Sequence, residues 1–159
     1  MFSSDVIGAT GRSPFSISIL VKIDRYNSMK RYVPFGLDDG SFGFYWRDIN
    51  TFFAYLPWGT GVGVMYFDDI LNTEMEFTIV SDGTSMSLYH NGVLFKSAKC
   101  GDYSTEISRT LVFFNSIGNN PTYDDSWICT LKKAQIYNKV LTDSEISHNY
   151  YIDRMRFGL

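Results

Sequence analysis

The chain has 159 residues, with 14 Lys and Arg against 17 Asp and Glu, a formal net charge of -3, and 45% hydrophobic residues. A chain of this length removes about 70% of its unfolded surface from water on folding, so its core needs no metal or disulfide staple. Lys132-Lys133 and Lys30-Arg31 are its densest basic features, which excludes a counterion-releasing nucleic-acid face. No apolar run approaches the roughly 18 residues of a membrane span. Met1-Phe2-Ser3-Ser4-Asp5 lacks the basic and apolar regions of a secretion signal, so neither span nor signal is expected.

Phe15, Ile17, Ile19, Val21 and Ile23 alternate with Ser16, Ser18 and Lys22, a period of two that predicts a strand with one face on a core and one in water. From Tyr32 to Tyr66 the chain is punctuated by Gly36, Asp39-Gly40, Pro57, Gly59, Gly61 and Gly63, which predicts several short strands. Within it Phe42, Phe44 and Trp46 share one face, Tyr45 and Arg47 the other, and Phe52-Phe53-Ala54-Tyr55-Leu56 is apolar on both. Met75, Phe77 and Ile79 alternate with Glu74, Glu76 and Thr78, predicting a half-exposed strand over 74–80. Asp82-Gly83 and Asn91-Gly92 then bracket Met86, Leu88 and His90; both residues of an Asn-Gly turn accept positive φ, so a hairpin is predicted there. Leu111 and Phe113 mark a further strand and Trp127 to Tyr137 a last one. Thr142-Asp143-Ser144-Glu145 has the spacing of a capping box and opens a short helix with Ile146, Tyr150 and Met155 on its apolar side and Gly158 at its end. Closely spaced strands ending in one helix predict an all-β antiparallel sandwich in a single domain over residues 1–159.

Cys100 and Cys129 have no CxxC or His partner at zinc spacing. Two readings stay open: a disulfide closing a loop of about 30 residues, worth about 3 kcal/mol, or two separate buried thiols.

The segment Phe77-Thr78-Ile79-Val80-Ser81-Asp82-Gly83 through Ser87-Leu88-Tyr89-His90-Asn91-Gly92-Val93 resembles the hairpin of laminin-G-like and pentraxin-like domains in the concanavalin A-like lectin/glucanase superfamily. Ile136-Tyr137-Asn138, Leu141 and Glu145-Ile146 resemble that family's closing segment, and Phe15-Ser16-Ile17-Ser18 its opening strand. The chain departs from the family at Ile19-Leu20-Val21, where Trp is frequent, and near Cys129, where Gly usually opens the last strand; both are packing positions. The resemblance implies a jelly roll of two curved antiparallel sheets. The tail, with Asn149-Tyr150 and Arg156-Phe157-Gly158-Leu159, is similar to the ending of laminin-G-like domains in tailed-phage virion proteins.

The superfamily contains glycoside hydrolases, whose retaining members aim two carboxylates at one cleft from alternating positions of a strand. Only Glu74-Met75-Glu76 approaches that pattern, with no third acid in register, and it reads as a solvated strand face. His90 reads as a hydrogen-bonded residue at a strand edge, and His148 as polar helix surface. Sugar binding needs a flat aromatic for the apolar face of a pyranose and polar groups for its hydroxyls. Trp58 in the turn Pro57-Trp58-Gly59 is the first candidate, and Tyr45, Arg47 and Tyr55 are second choices. Calcium is frequent in the family and takes six to eight oxygens; Asn119, Asn120, Asp124 and Asp125 form the richest oxygen-bearing loop. The expected function is non-catalytic, lectin-like binding of host glycans from a phage virion surface. A capsid or tail decoration protein acting through protein contacts, self-association included, is the first alternative. A secreted or surface bacterial carbohydrate-binding module is the second.

Overall fold

The computed structural model describes residues 14–25, 32–37, 43–48, 51–55, 63–66, 71–99, 111–115 and 128–159, with side chains placed in 14–25, 71–99 and 128–159. Among the described residues ten strands precede one helix: β1 (Phe15–Arg25), β2 (Tyr32–Leu37), β3 (Gly43–Asp48), β4 (Thr51–Tyr55), β5 (Gly63–Tyr66), β6 (Glu74–Ser81), β7 (Ser85–His90), β8 (Val93–Lys99), β9 (Leu111–Asn115), β10 (Ile128–Tyr137) and α1 (Asp143–Phe157). They form two five-stranded antiparallel sheets, ordered β10-β1-β6-β7-β8 and β5-β4-β3-β2-β9. The chain changes sheet after β1, β5, β8 and β9, so β10 closes beside β1. This is the all-β antiparallel sandwich that the alternation pattern predicts, in the jelly-roll form that the family resemblance implies.

Alternation decides what each face of the first sheet carries. Phe15, Ile17, Ile19, Val21 and Ile23 of β1, Met75, Phe77 and Ile79 of β6, and Met86 and Leu88 of β7 are all buried and share one face by register. His90 ends β7 on that face and stacks on Phe77 with ring centroids 5.1 Å apart. β7 is flanked by β8, so His90 lies inside the sheet rather than at its edge, and burial holds its imidazole pKa below the ordinary value.

The outer face departs from expectation. Ser16, Ser18, Glu76 and Thr78, predicted to face water, are buried. The reason is α1 and the segment leading into it, which lie across this face. Ser16 Oγ donates to the Lys139 carbonyl and accepts from the Leu141 amide, both at 2.9 Å. Val80, Tyr89, Leu141 and Ile146 make a small apolar core between sheet and helix, with Tyr137 packed against it.

Glu76 is 2% exposed, not solvated. Register aligns Lys133, Leu20 and Glu76 across β10, β1 and β6, and the Lys133 ammonium reaches over Leu20 to Glu76 Oε2 at 2.9 Å. It also donates to Asp153 of α1, while Ser18 Oγ donates to Glu76 Oε1 at 3.2 Å. Lys133 and Asp153 are 9% and 6% exposed, so two carboxylates and one ammonium are enclosed together. Burial, only partly offset by Lys133, raises the Glu76 pKa above the ordinary value. Alongside, Lys132 pairs with Glu74 and lies 5.9 Å from the centroid of the Phe157 ring.

The helix follows its sequence signals at both ends. Thr142 Oγ1 accepts from the Glu145 amide at 3.2 Å and Glu145 Oε2 accepts from the Thr142 amide at 2.8 Å, the reciprocal capping box. Gly158 closes the helix at φ 72°. Its inward side differs from prediction: Ile146 is buried and Tyr150 half-buried, but Asp153 takes the next inward position and Met155 is 69% exposed. Lys133 below supplies the charge that makes an aspartate fit there. The hairpin turn sets the approach, because Asn91 (φ 49°) and Gly92 (φ 77°) form the expected turn. A Cβ on Gly92 would sit 2.9 Å from Tyr150 Cβ, so glycine is required for contact as well as for φ.

Cys129 is half-buried on β10, and Cys100 lies outside the described residues. No described helix is long and apolar enough to cross a membrane.

Lys133→Met leaves two buried carboxylates without their cation and should cost about 3–5 kcal/mol in urea unfolding. Replacing Lys133, Glu76 and Asp153 together by apolar residues of similar size should recover most of that loss. Because the Glu76 pKa is raised in the folded state, its stabilising contribution is present in acid and is lost as pH rises through the raised value. Unfolding free energies of Glu76→Gln should therefore lack the decline shown by the parent over the pH interval just above the ordinary glutamate range.

Candidate functional site

Where the N-terminus of α1 meets the β6–β7 turn, a groove of about 500 Å³ opens on the outer face of the first sheet. Val80, Tyr89, Val140 and Leu141 supply its apolar surface, and Asp82, Ser85, Ser87, Thr142, Asp143 and Ser144 its polar groups. Each part has a local cause. Alternation along β7 puts Ser85, Ser87 and Tyr89 on the outer side, since Met86 and Leu88 take the inner one. The Asp82-Gly83 turn folds over itself: Asp82 Oδ1 accepts from the Thr84 and Ser85 amides at 2.7 and 2.6 Å and from Thr84 Oγ1 at 2.8 Å. These bonds, led by the Ser85 amide, hold the Asp82 pKa below the ordinary range, so its carboxylate is ionised.

Across the groove the Tyr89 hydroxyl donates to Asp143 Oδ1 at 2.6 Å, tying β7 to the first turn of α1. Burial and the Asp143 carboxylate raise the phenol's pKa far above the ordinary range, so it stays a protonated donor. Behind the rim, Glu145 pairs with Lys139 at 2.6 Å, and that pair with the Thr142 amide lowers its pKa to about 2. Ser87 and Ser97 share a 2.7 Å hydrogen bond on the β8 side. The site therefore presents methyl and aromatic carbon, hydroxyls and fixed carboxylates without a cation among its described lining residues.

Of the candidates named from sequence, positions 45, 47 and 55 lie in strands of the second sheet. Backbone pairing of Gly43 with Tyr55 and Tyr45 with Phe53 places positions 45 and 55 on one face of the second sheet; Arg47 falls in the register shift between Trp46 and Asp48. Trp58 and the oxygen-bearing loop of Asn119, Asn120, Asp124 and Asp125 lie outside the described residues. Among the described residues no three His, Cys, Asp or Glu side chains gather as a metal site. Glu74 and Glu76 share a face, but each is bound to a lysine beside α1. Sequence reasoning passed over Tyr89, Asp82 and Asp143. Alternation gives the outward direction of Tyr89 and the capping box gives the start of α1, but no local signal says that the two meet.

A profile of the laminin G-like domains of the concanavalin A-like lectin/glucanase superfamily matches residues 3–147. The chain belongs to this family. No curated protein sequence matches it significantly. Among solved structures it is similar to the receptor-binding domain of botulinum neurotoxin type G, with a TM-score of 0.64 and 20% identity over 89% of this chain and 38% of that one. The binding domain of serotype D gives 0.69 and 18% over 96% and 40%. The binding domain of neurotoxin DC in complex with rat synaptotagmin II gives 0.71 and 18% over 94% and 38%. At such identities the likeness is one of fold, and the laminin G-like chain spans about two-fifths of the length of these structures.

Thr142→Ala removes the cap that fixes the groove's helical wall and should cost about 1 kcal/mol in urea unfolding. The same change should shift the amide resonances of Asp143 and Ser144 while leaving those of β1 unmoved.

Proposed function

We propose that this laminin G-like domain is a non-catalytic, lectin-like module that contacts host-surface glycans from a phage virion. The observation carrying the reading is the fate of the Glu74-Met75-Glu76 acids: in a fold shared with glucanases, Glu76 is enclosed with Lys133 and Asp153 under α1 and Glu74 is paired with Lys132. A retaining glycosidase needs both carboxylates open to one sugar-sized cleft. With those acids committed to holding the helix, recognition is the use of the fold that the chemistry favours. The ligand residues we assign are Tyr45, Arg47, Tyr55 and Trp58, whose aromatic rings and guanidinium are suited to a pyranose. Calcium held by Asn119, Asn120, Asp124 and Asp125 would add oxygen coordination. The virion setting rests on the tail's similarity to phage laminin-G-like domains.

A decoration role through protein contacts is the second reading. Tyr151, Ile152 and Met155 expose apolar surface on α1, as Val93, Leu94 and Phe95 do on β8. One structural neighbour is described in complex with a protein, synaptotagmin II.

A glycan array separates these readings. Binding to a cell-surface polysaccharide that falls about tenfold or more in Trp58→Ala is the expected result. A silent array, together with a stable homo-oligomer in mass photometry, would transfer the assignment to decoration. Release of reducing sugar from a β-glucan would overturn the non-catalytic reading.

A further inference from the structure

We propose that the groove between α1 and the β6–β7 turn is a second, separate binding site, and that it takes a neutral saccharide of one or two rings. The proposal goes beyond the glycan-binding residues assigned above, because it uses the outer surface of the first sheet and none of the residues of the second.

Size fits first: about 500 Å³ lies within the range of small-ligand clefts and suits a disaccharide-sized occupant. Chemistry decides the class. The Val140 side chain, 40% exposed at the groove mouth, offers apolar carbon for the C–H face of a sugar ring, with the buried Val80 and Leu141 forming the floor behind it. Around them stand the Ser85, Ser87 and Ser144 hydroxyls, which both donate and accept, and the Asp82 and Asp143 carboxylates, which accept only. Ser87 already shares one bond with Ser97, and the Thr142 hydroxyl beside them gives its proton to Glu145. A pyranose presents this mixture in reverse, with donating and accepting hydroxyls around an apolar face.

Charge excludes the nearest competitors. Asp82 and Asp143, with no lysine or arginine among the described lining residues, repel sialylated, sulfated and phosphorylated ligands. A metal ion lacks its ligand set, since the described residues include no cluster of three acidic, His or Cys side chains. The walls are also held in place before any ligand arrives. Asp82 is fixed by three hydrogen bonds, Asp143 by the Tyr89 hydroxyl, and Thr142 by the capping box. Fixed acceptors cost little ordering on binding, which is what a weak-binding hydroxyl ligand requires.

Amide chemical-shift mapping of the isotope-labelled chain tests this, with maltose, cellobiose and lactose at millimolar concentrations as probes. The expected result is saturable shifts at Ser85, Ser87, Thr142 and Ser144 with at least one of the three. Sialylated lactose should bind the same residues about tenfold more weakly than lactose, or not at all. Ser87→Trp fills the groove and should abolish those shifts; Val140→Asp, on the exposed lip, should weaken them should the bulky change unfold the chain. Trp58→Ala should leave them intact while it removes binding on the glycan array, so the two sites fail independently. The proposal is overturned by an absence of shifts at these residues with all three sugars, by equal or tighter binding of sialylated lactose, or by groove shifts with tetra-lysine and none with sugars.

Discussion

The structure depends on an ammonium shared by two carboxylates beneath a helix. Lys133 holds Glu76 from its own sheet and Asp153 from α1, all three nearly out of contact with water. Enclosing such a group costs several kcal/mol of desolvation per ion, and a well-packed apolar seam would often be more stable. What the ions add is discrimination between positions. An apolar face tolerates sliding, whereas a buried charge tolerates only the seat where its partner waits. We read the cluster as the feature that fixes the helix in register. It works with the Gly92–Tyr150 approach at the hairpin tip and the Ser16 bonds at the entry to the helix.

Seating the helix also shapes the surface. Without α1 the outer face of the first sheet would be an open array of Ser, Thr, Glu and Tyr side chains around the apolar Leu20 and Val80. With it, Ser16, Ser18, Glu76 and Thr78 become interior, and the remaining Ser85, Ser87 and Tyr89 form one wall of a groove whose other wall is the first turn of the helix. The same few contacts that close the fold thereby create a concavity with fixed hydrogen-bond acceptors. Further along the sheet, β8 lies at the edge. It carries Lys96 and Lys99 and a register shift opposite Leu88 and Tyr89, features that discourage strand-to-strand association there.

Committing the acidic pair of β6 to helix seating bears on function as well. In a superfamily that includes both lectins and glucanases, one strand can carry catalytic acids or structural ones. Here the surroundings of Glu76, a lysine, a serine hydroxyl and a second carboxylate from the helix, make it part of the interior.

Local chemistry alone specified the strands and the helix. Alternation needs only the pleat, so β1, β6 and β7 are legible from apolar residues at every second position. The Asn91-Gly92 turn needs only positive φ at two residues, and the ends of α1 only Thr142, Glu145 and Gly158. The ordered motifs of hairpin and closing segment likewise carried the family. What the sequence could not state is which of two possible faces is covered, because burial depends on where a helix some 60 residues downstream comes to rest. The interior places of Glu76 and Asp153 and the exposed place of Met155 follow from that landing. So does the meeting of Tyr89 with Asp143, which are 54 residues apart in sequence and 2.6 Å apart in space. Short-range stereochemistry set the elements; only long-range packing set which polar groups became interior and which became a site.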